Sequence, residues 1–299
     1  MPRVHSAAAS HRKRLIGVFG LTLSIFFIEV VGGLLSNSLA LLADAGHVFT
    51  DVFGIAFALG AIWIAGRPAT SARSFGFLRL EIFAAVANAL LLFGVAAYVL
   101  YEAWRRLAEP PEVASGLMLA VAVIGLIANA VSLFLLREAQ NESLNMRGAY
   151  LEVMGDLAGS VAVIVAAVVI TLTGWTQADA VASAVIGLLI LPRTWSLLRE
   201  ALDVLLEATP KGIDLDVVRE HILEAPGVAG VHDLHAWTIT SGMNVVSAHV
   251  VLDEGAKTGD ILDHLGMCLS DDFDIKHSTF QLETPEHVQW EARAEQAQL

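Results

Sequence analysis

The chain has one cysteine, Cys268, in 299 residues. A single thiol excludes an internal disulfide and any zinc site built from several cysteines, and Cys268 reads as a small core residue on a helix. Charge is also scarce: 16% of residues are charged, against about 25% in soluble domains. What charge there is runs negative, to a formal net of -13, so there is no basic field to hold phosphates and nucleic acid is not expected as a partner. No Gly-x-x-x-x-Gly-Lys-Ser/Thr occurs, which argues against a nucleotide-driven pump, and no His-Glu-x-x-His occurs, which argues against a membrane metalloprotease. The nearest fragments fail in detail: Glu220-His221 has no second histidine, and Lys257-Thr258-Gly259 follows Ala256, not an aspartate acceptor. No cleavable leader is expected either, because the apolar run after Arg12, Lys13 and Arg14 is too long and lacks a small-residue cleavage site.

Apolar residues, in contrast, make up 56% of the chain and are concentrated between residues 15 and 198, whereas the last hundred residues have the make-up of an acidic soluble domain. This split predicts a membrane domain followed by a soluble one. A spanning helix needs about 20 mostly apolar residues, and six stretches qualify: 15–35, 39–65, 79–101, 115–136, 147–173 and 177–198. Lys and Arg set their orientation. One side holds Arg3, Arg12, Lys13, Arg14, Arg67, Arg73, Arg79, Arg137, Arg147, Arg193 and Arg199; the other holds Arg105 and Arg106. Both termini are therefore expected in the cytoplasm.

After Pro210 the periodicity changes. Residues 214–224 and 258–270 read as amphipathic helices, and residues 228–239, 244–252 and 278–283 as strands. The expected fold is thus a membrane all-α domain of six transmembrane helices followed by a small cytoplasmic α+β domain, αββαβ and ferredoxin-like. The expected boundaries are a cytoplasmic N-terminal segment at 1–14, the membrane domain at 15–209, the cytoplasmic α+β domain at 210–285 and a polar tail at 286–299. The acidic residues after 200 read first as solubilising charge, or alternatively as a field that gathers cations at a membrane entrance.

Carboxylates inside apolar spans carry the functional signal, since each costs about 2.5–3.5 kcal/mol at mid-membrane on insertion scales. The second span has His47 and Asp51, and the fifth has Glu152 and Asp156. Residues four apart share one helix face, so each helix offers two ligands on one stripe. If the stripes face each other, one nitrogen and three oxygens converge, a set able to close tetrahedrally around Zn²⁺. Ala43, Ala45, Gly46, Gly155, Ala158 and Gly159 would let the helices approach closely. The competing reading is that these are helix-end groups or interhelical hydrogen bonds, and for Asp44 the two readings stand level. Glu29, Glu81, Asn88 and Asn129 read as hydrogen-bonded packing, with Glu81 placed to join a cytoplasmic charge network beside Arg79.

The second-span stretch Leu41–Asp51 (Leu-Leu-Ala-Asp-Ala-Gly-His-Val-Phe-Thr-Asp), the fifth-span stretch Asn145–Ser160 and the segment Ser74–Glu81 closely resemble the signatures of the cation diffusion facilitator family. The similarity covers nearly the whole chain. It implies a homodimer in the cell's inner (plasma) membrane, multi-pass, that exchanges a cytoplasmic divalent metal for protons by alternating access and is not an enzyme. By the same resemblance His47, Asp51 and Asp156 take the family's transport positions. Glu152 stands where zinc-selective members commonly have His, and a harder donor set widens the range towards Co²⁺, Mn²⁺ or Fe²⁺. Zn²⁺ remains the expected cargo, with Cd²⁺ and Co²⁺ next. The family's histidine-rich loop between spans four and five is missing, since residues 137–147 contain no His. Matching positions in the cytoplasmic domain imply a regulatory metal site at His232, His249 and Glu283. His235 and His264 read as structural, and His277 stays open. The alternatives are a membrane metal sensor or receptor without transport, or a membrane metalloenzyme.

Overall fold

The structure is a computed structural model and describes residues 7–65, 67–137 and 144–287. Parts of the segments expected at 1–14 and 286–299, and of the loop between the fourth and fifth spans, lie outside the described residues. Six long helices come first: α1 (Ala7–Ser36), α2 (Leu39–Ala65), α3 (Leu80–Ala108), α4 (Ser115–Leu136), α5 (Leu144–Thr173) and α6 (Gln177–Leu205). Among the described residues, α1, α3, α4, α5 and α6 are long and apolar enough to cross a membrane, with mean hydropathy between 1.7 and 2.5. α2, at 27 residues, is the sixth helix. The chain divides into two compact units, Met1–Leu59 with Ala85–Leu198 and Gly60–Ala84 with Arg199–Leu299.

The first unit has an inverted size pattern. Its buried interior is built of small and medium residues, among them Ala40, Ala43, Val163 and Ala167, while large apolar residues face outwards: Leu172 is 79% exposed and Phe134 73%. In water each such side chain would cost on the order of 1–2 kcal/mol; in lipid it costs nothing, and the unit is a membrane domain. α4 packs against α1 and α5. Small residues allow close approach: a Cβ added at Gly32 of α1 would lie 2.5 Å from Val121 of α4, and one at Gly159 of α5 2.9 Å from Asp44 of α2.

The start of α2 is held by another helix. Asp179, in the first turn of α6 and 1% exposed, accepts hydrogen bonds from Ser38 Oγ at 2.6 Å, Leu39 N–H at 2.7 Å and Ala40 N–H at 3.1 Å. Ser38 Oγ in turn accepts from Leu41 N–H at 3.2 Å, as an N-cap should. Arg106 Nη1 donates to the Asn37 carbonyl at 2.7 Å and lies 3.7 Å from Asp179. Asn37 sits at φ 56°, a conformation Asn tolerates better than most residues, and this lets the chain reverse between α1 and α2.

The second unit contains α7 (Leu215–Leu223), β1 (Val228–Thr240), β2 (Met243–Leu252), α8 (Thr258–Phe273) and β3 (His277–Glu283). This is the αββαβ order expected from the sequence. The sheet runs β1-β2-β3, with β1 and β2 antiparallel and β2 and β3 parallel; α8 makes the crossover that parallel neighbours require. Val218 and Ile222 of α7 and Ile261, Leu265 and Leu269 of α8 share one core with Leu234, Ala236, Val246, Ala248 and Val250. Both helices therefore cover one face of the sheet, and alternation sends Ser247 and His249 to the other. Two contacts tie residues 79–81 into this unit. Arg79 pairs with Glu207 at 2.7 Å, while Glu81 accepts the hydroxyls of Thr240 and of Ser241, the latter at 2.8 Å. Glu81 thus serves the β1–β2 turn, and Arg79 finds its acid elsewhere.

Candidate functional site

α2 and α5 bring the acids of the second and fifth spans together. His47 Nε2 lies 3.7 Å from Asp51 Oδ2 and 3.5 Å from Asp156 Oδ1. One ligand atom from each of these three residues lies within 4.8 Å of the other two. His47 Nδ1 and Asp156 Oδ1 are buried without a hydrogen-bond partner. Buried polar atoms are normally satisfied, so two orphans beside converging carboxylates mark a place that a cation fits. A cavity of about 350 Å³ opens on this point, lined by His47, Asp51, Asn88, Glu152 and Arg193, among others. Gly54 keeps the wall thin, since a Cβ there would lie 2.8 Å from Asn88 Nδ2.

Glu152 departs from the symmetrical arrangement the spacing predicts. It lines the same cavity, but it is outside the three-residue cluster. Its Oε1 accepts from Arg193 Nη2 of α6 at 2.7 Å. The sequence reading placed Arg193 among the loop cations. The available signal was a formal charge at residue 193 inside the 177–198 span, next to Pro192, which lacks the N–H to close its helical turn.

Two further carboxyls, Glu29 of α1 and Asp44 of α2, are buried among the helices, 1% and 3% exposed. Asn129 of α4 donates to Ser160 of α5 at 3.4 Å, as expected for a packing amide.

In the cytoplasmic domain, β-register assembles the second predicted set. His232 pairs with His249 across β1 and β2, and their rings lie 5.0 Å apart. His232 Nε2 is 3.0 Å from Glu283 Oε2, and His249 Nδ1 is 2.8 Å from Glu283 Oε1. Gln281 Nε2 donates to Glu283 at 2.6 Å. A bulge follows His232: β1 takes three residues to reach His235 while β2 takes two, from His249 to Ser247. Asp233 absorbs the extra residue at φ 51°. His235 pairs with Asp233 at 3.3 Å and is exposed, His264 is exposed, and His277 stacks edge-on against Phe75. None of these three joins the cluster.

Burial pushes the Glu283 carboxyl up, but hydrogen bonds from Gln281 and His232 and the adjacent imidazoles outweigh it and hold the carboxyl below its ordinary value. A carboxyl depressed on folding stabilises the fold above its unfolded pKa, and that contribution disappears as pH falls through the lower folded value. The stability advantage of the native chain over Glu283→Gln, measured by thermal unfolding in the presence of a chelator, should therefore be present at pH 7 and shrink below the ordinary carboxylate range near pH 4. An advantage independent of pH would remove the charge from the explanation.

Residues 15–206 match the cation efflux transmembrane domain and residues 210–285 the cation efflux protein cytoplasmic domain. Over 280 residues the chain is 48% identical to the metal cation efflux system protein CzcD of Cupriavidus metallidurans, covering 93% of this chain and 89% of that one. It is 40% identical over 291 residues to the zinc transporter ZitB of Escherichia coli, covering 95% and 93%. With a cadmium, cobalt and zinc/H(+)-K(+) antiporter of Bacillus subtilis it shares 37% identity over 295 residues, covering 95% and 92%.

Proposed function

The chain belongs to the cation efflux, or cation diffusion facilitator, family of membrane transporters and exports divalent metal cations; on that premise we propose that it carries Zn²⁺ in exchange for protons, using His47, Asp51, Asp156 and Glu152. The observation that supports this most is the convergence of one ligand atom each from His47, Asp51 and Asp156 within 4.8 Å of one another, beside a cavity that His47, Asp51 and Glu152 line. The names of ZitB and of the Bacillus antiporter support zinc and proton coupling, and the latter makes Cd²⁺ and Co²⁺ the next cargoes.

The chemistry follows from the donor set. Carboxylates and imidazole bind either a metal or protons, not both. Protons arriving from outside neutralise the ligands and release the ion; facing the near-neutral cytoplasm, the ligands lose protons and take up another. Rocking of helices about this fixed point supplies alternating access. In this reading both termini face the cytoplasm, the protein sits in a bacterial inner membrane, and residues 210–285 pair two copies. His232, His249 and Glu283 hold a regulatory cation there, because a dipositive ion offsets the repulsion between two acidic domains.

Transport into sealed proteoliposomes tests both levels. Zn²⁺ flux should follow an imposed pH gradient and collapse when the gradient is dissipated; flux indifferent to the gradient would end the exchange proposal. His232→Ala with His249→Ala should keep the flux but remove its dependence on cytoplasmic-side metal. If that dependence persists, the regulatory site is elsewhere.

A further inference from the structure

The transport cavity is lined by a cation belonging to the protein itself. Among the described residues that line it, Arg193 is the only Lys or Arg, and its guanidinium rests 2.7 Å from Glu152. We propose that Arg193 is a specificity-determining residue that competes with the cargo for Glu152, setting how tightly the metal is held and which metal is preferred. This inference rests on the assignment of the surrounding cavity as the transport site.

Charge counting shows what the pair does. Asp51, Glu152 and Asp156 contribute three formal negative charges around a dipositive cargo. Adding Arg193 leaves two, the same balance that a neutral imidazole at position 152 would give with the two aspartates. Glu152 without Arg193 would over-bind any cation and slow its release. Arg193 beside an imidazole would leave a cation close to the cargo with no acid of its own. The two residues are therefore a matched pair on α5 and α6, and they account for a carboxylate where the family's zinc-selective members commonly carry histidine.

Glu152 Oε1 accepts from Arg193, whereas His47, Asp51 and Asp156 form the close three-residue cluster. A metal captured by those three must draw Glu152 from the guanidinium to gain a fourth ligand. The cost of breaking that ion pair is paid by every ion but is recovered best by ions that bind a hard carboxylate strongly. Arg193 and Glu152 both line the cavity, so the pair can open without leaving a charge enclosed by apolar packing.

The test uses the full-length protein. Metal affinity is read by competition with a chromogenic chelator for Zn²⁺, Cd²⁺ and Co²⁺, and KM and kcat by proteoliposome flux. Arg193→Gln should bind Zn²⁺ about tenfold more tightly, with KM and kcat both falling as release slows, and should narrow the spread among the three ions. Arg193→Lys should behave close to the native chain. In a Glu152→Ala background, Arg193→Gln should have a smaller effect on affinity, because competition for Glu152 is gone and only direct repulsion of the cargo remains. Glu152→His should impair transport by itself and regain it when combined with Arg193→Gln. Unchanged or weaker Zn²⁺ binding by Arg193→Gln, in protein that elutes as native in gel filtration, would overturn the proposal, as would equal effects with and without Glu152. Asp156→Ala separates the two levels: if it is inactive while Arg193→Gln is indistinguishable from native, the site stands and this inference fails; if it is active, the site itself is misassigned.

Discussion

Asp156→Ala abolishes metal flux, lowering it by at least about a hundredfold, and leaves the protein as stable as before. The first half follows from ligand geometry. Asp156 is the only residue of the three-member cluster supplied by α5, and without it the remaining close ligands, His47 and Asp51, come from one helix face. A tetrahedral site cannot close on one side, and even outer-shell losses cost about 10–100-fold in affinity. The second half follows from burial. Asp156 is 6% exposed and its Oδ1 has no hydrogen-bond partner, so the fold gains little from a carboxylate there. Flux and detergent-solubilised thermal stability, measured together, check both. Full flux rejects the site, and a large stability loss would recast Asp156 as a structural residue.

Asp179→Ala has the opposite profile, with an effect on stability. Its carboxylate accepts from one hydroxyl and two backbone N–H groups at the start of α2, and Leu39 and Ala40 are almost wholly buried. Deleting the acceptor strands donors that water cannot reach and removes negative charge from a helix N-terminus. Bonds to charged groups are worth about 1.5–3 kcal/mol each, so a loss on the order of 3 kcal/mol is expected. That corresponds to a fall in Tm on the order of 5–10 °C. Asp179→Asn, which keeps one acceptor oxygen, should fall between. An unchanged Tm in both variants would mean that α2 is secured by packing alone.

The two predictions concern residues of unequal legibility. Asp156 stood out in the sequence because a carboxylate deep in an apolar run demands a reason, and pairing with Glu152 at a spacing of four gave one. Asp179 lies at the start of the 177–198 run, where a carboxylate reads as an ordinary first-turn acid of a helix. Only the packing of α6 against the start of α2 reveals its partners.

The same divide runs through the fold. The cytoplasmic strands were legible to within about two residues because alternation and the Ser241-Gly242 turn punctuate them. The membrane helices were legible as apolar runs but not to their ends: α3 continues to Ala108 and α6 to Leu205, past the expected ends at 101 and 198. Hydropathy marks where lipid contact stops, whereas the backbone stays helical as long as its polar turns are satisfied. The Glu152–Arg193 pair was illegible because no spacing within one helix encodes a partner on another. His232, His249 and Glu283 came forward through family resemblance, since the bulge at Asp233 that sets which histidines align has no clear mark in the sequence.

The placement of bulk in the membrane unit reverses the usual rule for where a protein can change. A water-soluble domain varies at its polar skin and guards a centre of large residues. Here positions such as Ala40 and Ala167, with no exposure at all, admit nothing bigger, whereas Leu172 and Phe134 can exchange with any oily neighbour. Latitude for drift therefore lies on the greasy rim, and the narrow, alanine-rich seams between helices carry the constraint.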